Sequence, residues 1–163
     1  ALWDIFEQGH QLLTEAGYKQ YETSAYAKPS FQCQHNLNYW RFGDYLAIGC
    51  GAHGKLTFPD GNILRFSKTK HPKGYLRGEY LYEEKNVEKN DRAFEFFMNR
   101  FRLLEAVPKQ EFEYYTGLSQ SAVKNQIDLA IQQNYIVETR DYWQITEHGK
   151  LFLNELLALF LDE

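Results

Sequence analysis

The residues of this chain best equipped for chemistry lie between Gly17 and Gly54. Two histidines, His35 and His53, both cysteines, Cys33 and Cys50, and five tyrosines share that stretch with amides and glycines. The densest element is His35-Asn36-Leu37-Asn38-Tyr39-Trp40. A neutral imidazole ligates iron through a ring nitrogen, and a phenol four residues on can ligate it too or hydrogen-bond a carboxylate. In a helix His35 and Tyr39 share one face. Trp40 and Phe42 add flat apolar surface. The same residues also suit a structural turn, with the histidine as a cap and Tyr39 and Trp40 in the core, and periodicity does not separate the two readings.

The second element is Gly49-Cys50-Gly51-Ala52-His53. Small residues at a strand end admit a backbone or a cofactor closely. As a dinucleotide fingerprint the stretch lacks a third glycine and a following βαβ unit, so tight packing into the next hairpin competes with a cofactor role. Cys33-x-His35 is half a metal site with no second pair, and sixteen residues separate Cys33 from Cys50, so no closed zinc site is expected. Glu22 is a single carboxylate rather than an acid–base dyad.

The elements that must position these groups follow from the hydrophobic rhythm. Residues 2–16 carry Leu2, Ile5, Phe6, Leu12 and Leu13 at helical spacing, which predicts one packed face, with Gly17 as the terminating cap. Tyr21 to Ala27 alternates as a half-buried strand, and Tyr45 to Ile48 reads as a buried one. Lys55–Phe58 and Ile63–Phe66 flank Pro59-Asp60-Gly61-Asn62, a hairpin signal. Pro72 can open a short helix, and residues 83–92 are charged and polar, as in a solvated connection. Asp91 starts a helix with Phe94, Phe97, Met98, Phe101 and Leu104 on a broad apolar face. After Pro108 the order is helix, turn at Gly117, helix, hairpin around Arg140-Asp141, then a last helix capped by Thr146. That is a winged-helix outline.

Composition narrows the function. The chain has 163 residues and net charge −4, with acids and bases interspersed, which argues against a phosphate binder driven by bulk electrostatics. Over residues 109–147 the bases Lys109, Lys124 and Arg140 face Glu111, Glu113, Asp128, Glu138, Asp141 and Glu147. The balance is 3 − 6 = −3, where a groove reader needs a basic face, so the outline predicts a packing or interaction module and no nucleic acid. No apolar run approaches the ~18 residues that span a bilayer. Two cysteines are too few for a disulfide framework, and a reducing cytoplasm is expected. The absent initiator methionine and the abrupt helical start suggest a piece of a longer protein.

Taken together, Tyr21-Glu22-Thr23-Ser24, Ala27-Lys28-Pro29, His35-Asn36-Leu37-Asn38-Tyr39-Trp40, Asp44-Tyr45-Leu46 and Gly49-Cys50-Gly51-Ala52-His53 resemble, in order and spacing, the C-terminal half of one family. It is the haem-chaperone (HemW) branch of the oxygen-independent coproporphyrinogen III oxidase-like radical SAM proteins. The resemblance covers nearly all of the chain. Its most specific part is the His-Asn-x-x-Tyr-Trp element, which HemN oxidases lack.

The resemblance implies a parent with a partial TIM-like barrel, a [4Fe–4S] cluster on a Cys-x-x-x-Cys-x-x-Cys loop and S-adenosylmethionine. That loop is not in this chain, and Cys33 and Cys50 do not replace it, so the chain alone should lack the radical chemistry. By the same resemblance His35, Asn36, Tyr39 and Trp40 are the haem or porphyrin residues, with His35 toward the iron. Gly49, Gly51 and Ala52 would border the S-adenosylmethionine or porphyrin site. The chain departs from the family's pattern at Cys50, where proline is common, and at Gly54, where serine is common.

The expected fold class is α+β. Residues 1–90 would be a barrel-end segment with the His35 element and the hairpin, and residues 91–163 a helical, winged-helix-like domain. Expected partners are haem or porphyrin, a haem-acceptor protein that could bring the chain to a membrane, and a second copy through exposed barrel edges. Two other functions compete: a coproporphyrinogen oxidase, and a winged-helix interaction or DNA-binding module.

Overall fold

The computed structural model describes residues 2–161, the side chain of Leu2 excepted. Ala1, Asp162 and Glu163, at the ends of the two expected domains, lie outside the described residues, as does Leu2's place on the helix face.

The first helix, α1 (Leu2–Glu15), forms where the rhythm places it. Gly17 ends it at φ +82°, its N–H bonded to the Thr14 carbonyl while the Tyr18 N–H reaches Leu13, as a left-handed cap requires. Its apolar face is not packed, contrary to expectation: Trp3, Ile5 and Leu12 are 52%, 67% and 67% exposed.

The expected strand over Tyr21–Ala27 is a hairpin instead, β1 (Lys19–Glu22) and β2 (Ala25–Ala27). The reason is local. Glu22 Oε1 accepts from the Ser24 N–H at 2.9 Å, which folds Thr23-Ser24 into a turn.

After α2 (Gln34–Trp40), the chain builds a three-stranded antiparallel sheet from β3 (His53–Thr57), β4 (Ile63–Lys68) and β5 (Leu81–Asn86), in the order β3-β4-β5. A short helix, α3 (Pro72–Leu76), lies between β4 and β5. The hairpin turns where expected, with Asp60 Oδ1 accepting from the Asn62 N–H and Gly61 at φ +82°. β5 corrects the expectation of a solvated connection. All six of its residues are exposed, so it carries no buried alternation to betray it. Tyr45–Ile48 is no strand either. Tyr45 makes one isolated bridge to Lys55, and Leu46 and Ile48 are 70% and 83% exposed.

From Asp91 the elements follow the expected order. They are α4 (Asp91–Arg100), β6 (Val107–Pro108), α5 (Lys109–Thr116), a 3-10 turn at Gln120–Val123, α6 (Lys124–Gln132), β7 (Ile136–Glu138), β8 (Tyr142–Ile145), α7 (Glu147–Leu151) and α8 (Leu153–Ala158). The three strands pair antiparallel in the order β6-β8-β7. Gly117 is left-handed at φ +68°, and Thr146 Oγ1 accepts from the Gly149 N–H at 2.9 Å, capping α7.

The class is therefore α+β, with small antiparallel sheets and helices. Among the described residues no two strands pair in parallel.

The core is aromatic and lies mostly in the second half. Phe97 stacks on Phe101 and Phe112 at centroid distances of 4.9 and 5.4 Å and meets Trp143 edge-on at 5.6 Å. Phe42 and Ile63 reach into this cluster from the first half, both fully buried. Phe42 thereby fixes the chain just after α2, and Ile63 fixes the sheet.

Candidate functional site around the second helix

α2 is held at both ends of its inner face. Leu37 is buried, and Phe42, at φ +65°, plunges into the core, where its ring meets Phe96 edge-on. Gly43 must be glycine, because a Cβ there would lie 2.2 Å from Asn38 Oδ1. Arg41, the C-cap, forms a two-pronged bond to Glu105, with Nε–Oε1 2.8 Å and Nη2–Oε2 2.7 Å. Glu105 also accepts from the buried Arg100. Hydrogen bonding from Arg41, then from Arg100, outweighs burial and holds the Glu105 carboxyl down at about 2.

Beneath the following turn sits a buried lysine. Lys55 Nζ donates to the Phe42 carbonyl, Asp44 Oδ1 and Thr57 Oγ1 at 3.0, 2.9 and 3.0 Å and lies over the Phe42 ring. Burial pushes the Lys55 ammonium pKa down, against the pull of Asp44. On the partner, burial works upward, but the bonds from Lys55 and Thr57 win and leave Asp44 lowered. With three acceptors, this ammonium is a structural anchor.

On that scaffold His35 sits in the first turn of α2, exposed to solvent and without a hydrogen bond to any described residue. Asn36 is half-buried. Tyr39, one turn after His35, meets Trp40 edge-on at 4.5 Å and Tyr45 at 5.1 Å. Burial first, then neighbouring Tyr39, raises the Tyr45 phenol to about 12, and its oxygen accepts from Arg65 Nη1 at 3.2 Å. Arg65 is itself paired with Glu95.

Tyr39, Tyr45, His53, Arg65, Phe66 and Lys85 border a cavity of about 250 Å³. His35 does not line it. Trp40 is engaged already: the Arg102 guanidinium lies 4.5 Å above its ring, and Arg102 pairs with the buried Glu22 at 3.6 Å. Glu22 thus holds a turn and a cation and stands in no acid–base pair.

The glycine-rich stretch lies against another part of the fold. Gly49 N–H donates to Tyr75 Oη at 3.0 Å, Gly51 N–H to the Thr69 carbonyl at 3.0 Å, and Lys68 N–H to the Ala52 carbonyl at 2.8 Å. Gly49 and Gly51 have φ of +96° and +70°, and a Cβ on either would meet nothing closer than 4.0 Å. Their glycine is a matter of backbone conformation. Close approach occurs instead at Gly54, where a Cβ would strike the Phe66 ring at 2.3 Å.

The chain's two cysteines are exposed and free, and among the described residues no three His, Cys, Asp or Glu side chains are grouped to hold a metal. Also among the described residues, no helix is long and apolar enough to cross a membrane.

Sequence reasoning read Tyr45 as the start of a buried strand and as part of a family motif, not as a site residue, and it passed over Arg65, because an arginine in a strand carries no motif.

Comparison with known proteins fits this geometry. The HemN C-terminal domain family matches residues 87–152. The solved coproporphyrinogen III oxidase HemN of Escherichia coli, described as a radical SAM enzyme, superposes with a TM-score of 0.67 at 14% identity, covering 97% of this chain and 40% of that one. The fold is thus that of the C-terminal region of HemN-like radical SAM proteins.

Sequence identity goes further. The chain is 89% identical over all 163 residues to the protein named heme chaperone HemW of Haemophilus influenzae and 71% identical to that of Escherichia coli K12. The chain spans 43% of the length of each. It belongs to the HemW branch of the HemN-like family, matching a C-terminal part of it.

Proposed function

We propose that this chain is the haem-handling C-terminal part of a HemW-like protein, with α2 presenting His35 to a haem iron. The observation that carries the reading is His35 itself, an unpartnered, solvent-facing imidazole on a helix anchored by Phe42 and by Arg41–Glu105. The name heme chaperone carried by relatives at 89% and 71% identity supports haem as the cargo.

Tyr39, one turn on, is the second ligand or the hydrogen-bond donor. Asn36 and Trp40 border the site from the same helix, Trp40 with one face already covered by Arg102. Gly49, Gly51 and Ala52 shape the turn facing the rest of the parent protein. The cluster and S-adenosylmethionine belong to that parent, together with any radical chemistry.

Residues 1–90 act as the barrel-end and ligand-facing segment, and residues 91–163 as the winged-helix-like support. The β6-β8-β7 strand order with α5 and α6 supports that outline. Its acidic balance favours a protein partner, such as a haem acceptor, over nucleic acid. The protein works in the cytoplasm, reaching a membrane only through such an acceptor, and exposed edges such as β5 offer a route to a homodimer.

Haem titration followed at the Soret band tests the reading. The wild-type chain develops a saturable Soret shift, and His35→Ala weakens binding about tenfold or more. Identical titrations for the two would overturn the assignment of His35.

A further inference from the structure

One stretch departs from the interspersed charge of the rest. Lys68, Lys70, Lys73 and Arg77 fall within ten residues that hold no acid, with His71 among them. Without those four cations the chain's balance would be 14 − 22 = −8. The site around α2 uses none of them.

Like charges this close repel, so the loop between β4 and β5 that carries them has to be held by something else. Here the backbone and the aromatic rings do it. Thr69 N–H donates to the Tyr80 carbonyl at 3.1 Å, and Gly51 N–H to the Thr69 carbonyl at 3.0 Å, closing the loop at its base. Tyr75, in α3, accepts at Oη from Gly49 N–H and packs edge-on against Tyr80 at 5.0 Å. Two ammonium groups are set on rings, Lys68 over Phe66 and Lys70 over Tyr82, 5.4 and 4.9 Å from the centroids. Arg77 pairs with Glu79 at 3.4 Å. Lys68, Lys70 and Lys73 hold no ion pair among the described residues. Beside them Leu76 and Tyr80 stand exposed.

A closed loop with three unpaired cations around an apolar tip has the make-up of a binding surface, an apolar centre with a polar rim. Its complement is anionic, and the neighbours decide of which kind. Glu79 lies just past the loop's last cation, and Glu83 and Glu84 stand exposed on β5, opposite Ser67 and Phe66 of β4. A flat sheet of anionic headgroups, or a phosphate backbone laid over the lysines, would meet these carboxylates too. A folded partner can set its acids against the lysines and keep clear of the glutamates.

We propose that residues 68–80 are the docking surface for an acidic protein partner. Lys68, Lys70 and Lys73 face its carboxylates, and Leu76 and Tyr80 enter an apolar recess between them. The partner's purpose, as an acceptor, rests on the haem-handling reading; the test uses no haem, so either can fail alone.

Two labelled dodecapeptides serve as probes, one all glutamate and one with phenylalanine at every fourth position. Each is titrated with the 163-residue chain and followed by fluorescence anisotropy. Vesicles of phosphatidylglycerol and phosphatidylcholine, and a labelled DNA duplex, are the competing surfaces. The phenylalanine peptide is expected to bind more tightly than the all-glutamate one, and added salt should weaken both. Lys70→Gln/Lys73→Gln should weaken binding about fivefold or more, and Leu76→Ser should erase the preference for phenylalanine. Lys89→Gln/Arg140→Gln, which removes the same charge elsewhere, should change nothing. Far-UV circular dichroism checks the fold of each variant.

An equal loss in Lys89→Gln/Arg140→Gln, or no preference for the phenylalanine peptide, overturns the docking surface. So does vesicle or duplex binding as strong as peptide binding, or no peptide binding by the folded chain. None of these results bears on His35.

Discussion

The two halves of this molecule treat the same kind of residue in opposite ways. From Val87 onward large apolar side chains close on one another. Phe96, Phe97, Phe112, Ala130 and Leu156 are fully buried around a stack of aromatic rings. Before residue 87 many face solvent: Phe31, Ile48 and Leu76 are 80%, 83% and 84% exposed, and between residues 3 and 41 Leu37 is the one buried hydrophobic side chain. Composition does not separate the halves. What separates them is whether the helices present their stripes to each other. The core closes mostly within the second half, and the first joins it through Phe42, Ile63 and the Arg41–Glu105 pair while leaving much of its own apolar surface exposed.

The comparison breaks if mutations in the two halves cost alike. The largest effect is expected at Phe97→Ala, which empties the centre of the stack and should lower unfolding free energy by about 3–5 kcal/mol in urea melts. Gly149→Ala comes next. A Cβ would meet the Tyr135 carbonyl oxygen at 2.0 Å, a backbone clash that only strand movement relieves, costing roughly 1–3 kcal/mol.

Glu105→Gln, at the seam between halves, should cost on the order of 1 kcal/mol, because its arm to Arg41 is partly exposed and screened. Its sign with pH follows from its depressed carboxyl. The contribution is whole above the ordinary value of 4.5 and is lost as pH falls toward about 2. Wild type and Glu105→Gln should therefore converge in thermal melts across that window. Smallest of all, Leu12→Ala on the open face of α1 should change stability by about 0.5 kcal/mol or less.

The same contrast explains how much was legible beforehand. The second half could be read almost element by element, because Phe94-x-x-Phe97 spacing, Gly117 and Thr146 each state a local preference that packing then honours. The first half misled where burial was assumed. The apolar face of α1 and Tyr45–Ile48 look like packed elements because hydrophobic spacing does not say what, if anything, covers it. β5 was missed for the converse reason, being wholly exposed, and the β1–β2 turn depends on one side chain, Glu22, folding back on Ser24.

For the site, the sequence left a helix and a structural turn both open around His35 and Tyr39, and α2 sets the two residues one turn apart. Trp40's partnership with Arg102, 62 residues on, and the gathering of Tyr39, Tyr45 and Arg65 come from tertiary packing that no motif encodes. Gly49 and Gly51 adopt positive φ with open space around them, and Gly54 packs against the Phe66 ring, neither of which a glycine spacing announces.

Hydrogen exchange on the chain with and without haem addresses the division most directly. Bound haem should slow amide exchange over residues 34–45, while residues 91–160 stay unchanged. Protection confined to 91–160, or none over 34–45 at saturating haem, would contradict the assignment of the ligand surface to the first half.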